Sequence, residues 1–232
     1  MSKEKALNLY AKIEPLIEFY QEYEELYDKY LKIITSINPK NILDFGCGNG
    51  RFLERLKELE IDAIGIDLST NMVENALLKK VQVYKKDISE LNNNRFELIT
   101  ATADVLNYFN KNELDNILHE IYLKLVPKGY LLADINTLYG FTHVAEGILV
   151  KERDEHFLTI EADFEEKKLS TKFTLFEKTN KYYEKEQAVI EQYFHSLDYF
   201  KKLNFLHLKQ TVPVYMFDKN TPDKTLMILQ KT

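Results

Sequence analysis

The 232-residue sequence has a single cysteine, no apolar run of 18 residues and no block rich in lysine and arginine. With Cys47 alone, neither an internal disulfide nor a cluster of thiolate metal ligands can form. Without a long apolar run, and with residues 1–8 lacking the apolar core of a signal peptide, we expect a cytoplasmic protein that does not span a membrane. The net charge of −6 argues against nucleic acid as a partner.

Low-complexity tracts, internal repeats and linkers rich in proline, glycine and serine are also missing from the sequence. Because 45% of the residues are hydrophobic, the chain can bury a substantial core. We therefore expect one α/β domain with an insertion rather than two full domains. A monomer and a homodimer both remain open.

Residues 41–51, which read NILDFGCGNGR, combine a short apolar run, an acid and three glycines. The apolar run ends in Asp44, and a helical pattern of apolar residues begins at residue 52. The alternating glycines between them are Gly46, Gly48 and Gly50. Glycine lets a backbone turn tightly and approach a ligand, so this strand, turn and helix predict a cofactor site. Asp44 would repel a pyrophosphate but would suit a cationic ligand.

The loop resembles the first motif of the class I S-adenosylmethionine-dependent methyltransferases, whose signature is Leu-Asp-x-Gly-Cys-Gly-x-Gly. The resemblance implies that S-adenosylmethionine is the cofactor and that it contacts the following residues: Asp44, Gly46, Cys47, Gly48 and Gly50. We interpret Cys47 as a small apolar residue that packs beneath the cofactor, without a redox role.

A second acid, Asp67, closes the apolar run at residues 63–66. An acid at the end of the second strand can accept hydrogen bonds from both hydroxyls of a ribose, and the resemblance implies that role here, with Leu68 beside it. The alternative is that Asp67 caps the next helix. Ser69 is the better N-cap, which favours the ribose role.

Two further positions follow from the resemblance. Asp87 would accept from the adenine amino group and Ile88 would pack on the ring, although a surface turn at residues 85–89 is an alternative. The strand at residues 96–101 should end beside the sulfonium, near Ala101 and the small residues 102 and 103.

Candidates for the acceptor side are Tyr108, His143 and His195. Tyr108 ends a segment that resembles the post-strand motif of small-molecule methyltransferases, but a core tyrosine is an equal alternative. His143 and His195 are the candidate bases if the acceptor is an alcohol. Asp134-x-Asn136 could suggest a metal pair, but because no acid ends the fourth strand we expect no metal.

Residues 5–37 carry apolar residues at helical spacing and predict two helices, split near Pro15. In the resembling family this leading segment often covers the cofactor as a lid. The lid would comprise residues 1–37, and Tyr10 or Tyr20 could meet the substrate or the methionine moiety. Packing of these tyrosines against the sheet is the alternative.

The resemblance predicts a Rossmann-like, doubly wound α/β fold: a seven-stranded, mostly parallel sheet with a reversed last strand and an antiparallel β insertion after strand five. The cofactor-binding domain would comprise residues 1–136 and 196–232. Residues 137–195 would form the insertion and the roof of the substrate site. Within it, alternating patterns predict strands at residues 157–164, 170–177 and 181–194.

These features predict an enzyme that transfers a methyl group from S-adenosylmethionine to a nitrogen or oxygen of a small molecule. Two alternatives remain. One is a methyltransferase acting on RNA or protein, which the acidity disfavours. The other is a cofactor-binding regulator without catalysis, because a fold does not fix a function.

Overall fold

The computed structural model describes residues 3–232. Its α-helices are α1 (Lys3–Ile17), α2 (Tyr20–Ile37), α3 (Arg51–Glu58), α4 (Thr70–Leu78), α5 (Lys111–Lys124) and α6 (Leu197–Lys201). Its first strands are β1 (Ile42–Phe45), β2 (Ala63–Asp67), β3 (Val83–Lys85), β4 (Phe96–Ala101) and β5 (Leu125–Asn136). The later strands are β6 (Gly147–Arg153), β7 (His156–Glu165), β8 (Lys168–Lys178), β9 (Tyr183–Tyr193), β10 (Leu206–Val214) and β11 (Lys224–Lys231).

Seven of the strands form one sheet in the order β10-β11-β5-β4-β1-β2-β3. Neighbouring strands among β1 to β5 pair in parallel, whereas β11 runs antiparallel to both β5 and β10. The predicted seven-stranded, mostly parallel sheet with a reversed last strand is therefore confirmed. The strand order reverses between β1 and β4, and parallel sheets bind ligands at the carboxyl ends of the strands beside such a point.

Helices cover both faces of this sheet, as the apolar patterns require. On one face α2, α3 and α4 pack through residues that include Tyr30, Phe52 and Ala76. On the other face α5 and α6 pack through Leu118 and Phe200. Burial on both sides explains why all four residues of β1, Asp44 included, are buried rather than alternately buried and exposed.

Strands β6 to β9 form a second, antiparallel sheet in sequential order. It lies in the chain between β5 and α6, so the predicted antiparallel insertion after strand five is confirmed. Strand β6 was missing from the prediction. It is an edge strand that exposes Ile148 and Val150, so burial on one face does not mark it in the sequence. The inner face of the sheet packs against α1.

The predicted pair of helices is confirmed, but the break lies at residues 18 and 19, three residues beyond Pro15. Helix α1 continues through Pro15 to Ile17, and the chain turns at Glu18, whose φ is 65°. Ile13 and Ile17 lie one helical turn apart and are both buried. Their packing extends the helix beyond the proline, which lies in its last turn.

Within residues 3–232 none of the helices is long and apolar enough to cross a membrane.

Candidate functional site

Two cavities meet at the carboxyl edge of the large sheet. The inner cavity, of about 170 Å³, lies between the glycine loop and helix α1. Six of the predicted cofactor residues line it: Gly46, Cys47, Gly48, Asp67, Leu68 and Asp87. The others lie behind that lining: Asp44, Gly50, Ile88 and Ala101. The cofactor contacts of the whole set stay predictions.

The glycine loop has the backbone that the sequence pattern requires. Gly46, Gly48 and Gly50 all have positive φ, from 51° to 73°. The amides of Gly46 and Cys47 both donate to the Ile66 carbonyl at the end of β2, at 2.9 and 3.1 Å. These bonds hold the loop against the second strand and leave its outer surface facing the inner cavity.

The glycines differ in what a side chain would meet. A Cβ at Gly48 would have only the Met72 sulfur within 4 Å, at 3.9 Å, so this position leaves open space for a ligand. A Cβ at Gly50 would lie 2.8 Å from the Cβ of Ala76 and 3.0 Å from Val81. The absence of a side chain at Gly48 therefore keeps space open in the cavity, whereas its absence at Gly50 allows α4 to pack closely.

We expect Gly48→Ala to affect cofactor binding more, and Gly50→Ala to affect stability more. Gly48→Ala should cost about 1 kcal/mol of stability for the left-handed backbone and should weaken cofactor binding, because its methyl enters the cavity. Gly50→Ala should lose about 2 to 4 kcal/mol through overpacking added to the same backbone cost. Denaturant unfolding and calorimetric titration measure the two quantities. Equal stability losses in the two variants would contradict this assignment.

Asp67 lies at the end of β2 beside the glycine loop. Its carboxylate accepts from the amide of Gly48 at 3.0 Å and from the amide of Ser69 at 2.8 Å. Burial raises the pKa of Asp67, and these backbone donors oppose the rise. Ser69 caps α4 by accepting from the Met72 amide, as the sequence predicts. Asp67 therefore links the loop to β2 and keeps part of its surface on the cavity.

The two residues predicted to contact the adenine, Asp87 and Ile88, lie in different surroundings in the structure. Asp87 lines the inner cavity, and its carboxylate also caps a short 3₁₀ turn (Ile88–Glu90) by accepting from Ser89. Both the cavity position and the alternative surface turn are therefore present at Asp87. Ile88 is fully buried in the core below α5 and does not reach the cavity.

Asp44 is fully buried behind the loop. Thr100 donates to its Oδ1 at 2.8 Å, while its Oδ2 has no hydrogen-bond partner within the described part of the chain. Burial raises the pKa of Asp44 to about 7, opposed by the Thr100 bond and helped by the charge of Asp67. Such a buried oxygen without a donor is costly, so this site fits a ligand with a cationic end.

The three residues predicted to lie near the sulfonium take different positions in the structure. Ala101 is fully buried, and its carbonyl accepts from the Tyr30 hydroxyl at 3.2 Å. Thr102 and Ala103, also expected near the sulfonium, line the inner cavity instead. The strand ends at Ala101 because the chain turns there, with φ of 60° at Ala103.

The outer cavity, of about 400 Å³, lies between the four-stranded sheet, helix α1 and the end of β5. Four residues line both cavities: Tyr10, Tyr23, Ala103 and Tyr108. A ligand in the inner cavity would therefore face a ligand in the outer cavity across this shared wall. Burial raises the pKa of all three tyrosines, which keeps their hydroxyls protonated.

A buried polar cluster closes the wall on the side of β5. Asp134 accepts from the amides of Ala103 at 2.8 Å and Asp104 at 2.9 Å, and from the Tyr30 hydroxyl at 2.7 Å. It thereby holds residues 103 and 104, both with positive φ, in a turn of unfavourable backbone geometry. The carboxylate of Asp134 thus has hydrogen-bond partners within the protein that give it a structural role. Within residues 3–232 no group of three or more His, Cys, Asp or Glu side chains is arranged to hold a metal ion.

Asp104 faces the outer cavity and forms an ion pair with Lys224, the first residue of β11. Gln192 also donates to Asp104, and Lys224 donates to Asn136 at 2.7 Å. Burial alone would lower the pKa of Lys224, but the carboxylates of Asp104 and Asp134 raise it overall. These partners are far apart in the chain, and no local motif points to them.

Neither candidate histidine reaches a cavity. His143 is exposed in a π-helical turn (Gly140–Ala145) and stacks on Tyr139 with ring centroids 4.6 Å apart. His195 is buried with its Nε2 3.0 Å from the Phe109 carbonyl, and burial lowers its pKa. Both positions disagree with a base beside the acceptor, whereas Tyr108 lies in the shared wall.

Helix α1 covers the inner cavity with one face. Its cavity-lining residues recur at heptad spacing: Lys3, Leu7, Tyr10 and Glu14. Glu14 accepts from the Asn49 side chain at 2.7 Å and so ties the helix to the glycine loop. Tyr20 lies elsewhere, under the Arg51 guanidinium at 4.0 Å. Glu14 was not among the predicted site residues, although the spacing of residues 7, 10 and 14 places them on one face of a helix.

Comparison with known proteins finds methyltransferases similar to the part of the chain that contains the glycine loop. Residues 42–129 match the family model described as "Methyltransferase domain". A protein of Geobacillus sp. (strain WCH70), named "Putative methyltransferase GWCH70_2453", is 29% identical over 144 residues, which cover 59% of this chain. The alignments cover 58% and 62% of the length of the two curated relatives that the chain matches.

Solved structures extend the likeness to nearly the whole chain. An S-adenosylmethionine-dependent methyltransferase from Clostridium acetobutylicum ATCC 824 has a TM-score of 0.78 and 23% identity, over 96% of this chain and 97% of that one. The sugar N-methyltransferase KedS8 from Streptoalloteichus sp. ATCC 53650 has a TM-score of 0.72 and 17% identity, over 98% and 94%. At these identities the likeness establishes the fold.

Proposed function

We propose that this chain, whose residues 42–129 form a methyltransferase domain within the fold of S-adenosylmethionine-dependent methyltransferases, methylates a nitrogen of a small molecule. S-adenosylmethionine would bind in the inner cavity, with its ribose at Asp67 and its adenine near Asp87. Its amino-acid end would lie toward Asp44. The acceptor would bind in the outer cavity under the four-stranded sheet.

One observation carries this proposal: the two cavities share a wall. Tyr10, Tyr23, Ala103 and Tyr108 line both of them, and Ala103 has only a methyl group as its side chain. A donor and an acceptor that fill the two cavities would therefore be neighbours at these residues. Holding two reactants in line can supply roughly 7 to 11 kcal/mol of the barrier, so positioning alone would account for much of the catalysis.

S-adenosylmethionine would supply an electrophilic methyl group: the acceptor lone pair would form the C–N bond as the C–S bond breaks with its electrons going to sulfur, and the methylated ammonium would release a proton to water. The chain's own residues would orient the acceptor and stabilise the positive charge that develops on nitrogen. Protonated tyrosine hydroxyls present oxygen lone pairs to that charge, and Asp104 adds a carboxylate nearby.

The surroundings of the wall favour nitrogen over oxygen. An alcohol needs a general base to become a nucleophile, whereas a neutral amine does not. Within the described residues no histidine lines either cavity, and Asp104 is held by Lys224 and Gln192. The fold of KedS8, a sugar N-methyltransferase, is consistent with this choice.

Calorimetric titration with S-adenosylmethionine, followed by detection of S-adenosylhomocysteine formed with a panel of amines, tests the proposal. We expect a binding isotherm and turnover with at least one amine. The absence of binding would overturn the proposal as a whole. Binding without turnover of amines, alcohols, RNA or protein would favour a regulator over an enzyme.

We expect Tyr10→Phe to lower kcat/KM about tenfold, and Tyr20→Phe to change it less than about twofold. Loss of one hydroxyl contact to the reacting nitrogen accounts for roughly that factor. Tyr10 lines both cavities, whereas Tyr20 lines neither. The initial rate of S-adenosylhomocysteine formation measures the effect. Equal rates for the two variants would remove Tyr10 from the acceptor site.

A further inference from the structure

The charged groups that line the outer cavity are Asp104, Glu146, Asp223 and Lys224. Lys224 is the single cation among them. Its charge is neutralised by the protein's own acids, because its Nζ is paired with Asp104 and lies 3.8 Å from Asp134. Only 5% of its side chain is exposed. Among the described residues that line this cavity, no cation is therefore free to pair with a bound anion.

The acids of the cavity are not neutralised to the same degree. Asp223 uses its carboxylate to hold a loop, accepting from the amides of residues 216–218. Glu146 is exposed at the rim. Asp104 keeps 14% of its side chain exposed beside the shared wall. The cavity is thus net negative at its polar end, and this favours a cation and disfavours an anion.

The three tyrosines of the shared wall reinforce this preference. Tyr10, Tyr23 and Tyr108 stand together where the acceptor nitrogen would lie. Aromatic rings and phenol oxygens both attract the positive charge that develops on the nitrogen as the methyl group is transferred.

The opposite side of the cavity is apolar. It is formed by inward-facing residues of the four-stranded sheet: Leu149, Ile160, Leu169, Phe173 and Ile190. Thr171 and Gln192 are the polar side chains that these strands contribute to the cavity lining. This surface would bury a hydrocarbon body and would have few hydrogen bonds for a sugar or a nucleotide.

We propose that the acceptor is an amine with an apolar body and no anionic group, held with its nitrogen among Tyr10, Tyr23, Tyr108 and Asp104. This inference rests on the proposed function and narrows its substrate class. It excludes acceptors that carry a phosphate, a nucleotide or a carboxylate inside the cavity, because an unpaired anion buried there would meet acids and no free cation. The discrimination should be at least about 100-fold in affinity.

Three matched probes test this selection on the full chain: benzylamine, 4-(aminomethyl)benzamide and 4-(aminomethyl)benzoate. They share the ring and the amine, and the benzamide controls for the size of the carboxylate. Calorimetry measures their binding to the protein saturated with S-adenosylhomocysteine, and kcat/KM is measured with S-adenosylmethionine. We expect the benzoate to be weaker than the benzamide by about 100-fold.

Equal or tighter binding of the benzoate would overturn the inference, and so would the absence of binding by both other probes. Turnover of a phosphate-bearing or nucleotide-linked amine would overturn it while leaving methyl transfer intact. Failure to bind S-adenosylmethionine would instead remove the proposed function itself. The two failures are therefore distinguishable.

The variant Asp104→Asn adds an independent readout. Without this carboxylate the Lys224 ammonium is less neutralised and can attract an anion in the cavity. The ratio of benzamide affinity to benzoate affinity should therefore fall by about tenfold or more. Glu161→Gln is the matched control, because Glu161 is exposed and pairs with Lys172 away from both cavities. It should leave the discrimination unchanged. Unchanged discrimination in a folded Asp104→Asn variant would overturn the inference, and the wild-type probe series decides if that variant does not fold.

Discussion

Replacing Asp67 by alanine should weaken S-adenosylmethionine binding by at least about 100-fold. The variant loses a carboxylate that can accept two ribose hydroxyls, and hydrogen bonds to charged groups contribute about 1.5 to 3 kcal/mol each. It also leaves the amides of Gly48 and Ser69 without their partner, which loosens the loop that lines the inner cavity. Calorimetric titration of the purified variant measures the change in Kd.

Asp62→Ala is the matched control for this measurement. Asp62 is exposed just before β2, the strand that Asp67 ends, so the same substitution is made at the opposite end of one strand. Its Kd should stay within about twofold of the wild type, as surface substitutions usually have small effects. An unchanged Kd in a folded Asp67→Ala variant would mean that the donor binds elsewhere.

The affinity for S-adenosylmethionine should rise with pH up to about 7 and then level off. Asp44 is buried with one oxygen unpartnered, and burial raises its pKa to about 7. Below that pH the free protein holds Asp44 protonated, whereas a cationic ligand favours the carboxylate. Binding must then release a proton, so Kd should fall about tenfold for each pH unit gained between about 5 and 7.

Asp44→Asn should bind S-adenosylmethionine more weakly at pH 8, and its Kd should no longer depend on pH between about 5 and 7, because asparagine does not titrate.

The raised pKa of Asp44 also affects folding: between about pH 4 and 7 the native state retains a proton that the unfolded chain releases. The contribution of Asp44 to stability therefore decreases as pH rises through this window, and the variant should flatten that part of the stability profile. Calorimetry and denaturant unfolding from pH 5 to 8 measure both. A pH-independent Kd in the wild type would contradict the role of Asp44.

Local patterns predicted the elements whose signals lie within a few residues. The three glycines between β1 and α3 needed positive φ, and all three have it. Ser69 caps α4 because its side chain reaches the Met72 amide three residues later. These features depend on backbone geometry over one turn, which neighbouring residues determine.

Packing from elsewhere in the chain decided where several of the predicted features lie. The burial of Ile13 and Ile17 carried α1 past Pro15. Ala101 faces the core rather than the cavity, because the turn held by Asp134 begins beyond it. His143 and His195 were chosen by residue type, and their positions depend on a π-helical turn and on the Phe109 carbonyl.

The amino-acid sequence by itself determined a cofactor loop between β1 and α3, an acid at the end of β2 and an alternation of strands and helices. Each of these features depends on residues that are close to one another along the chain. The tertiary structure decided which distant side chains face the acceptor. Lys224 meets Asp104 across 120 positions, and Tyr10 joins Tyr108 only because α1 folds over the edge of the sheet. The insertion of β11 beside β5 and the packing of α1 on the second sheet bring these residues together, and no spacing within the sequence encodes such a meeting.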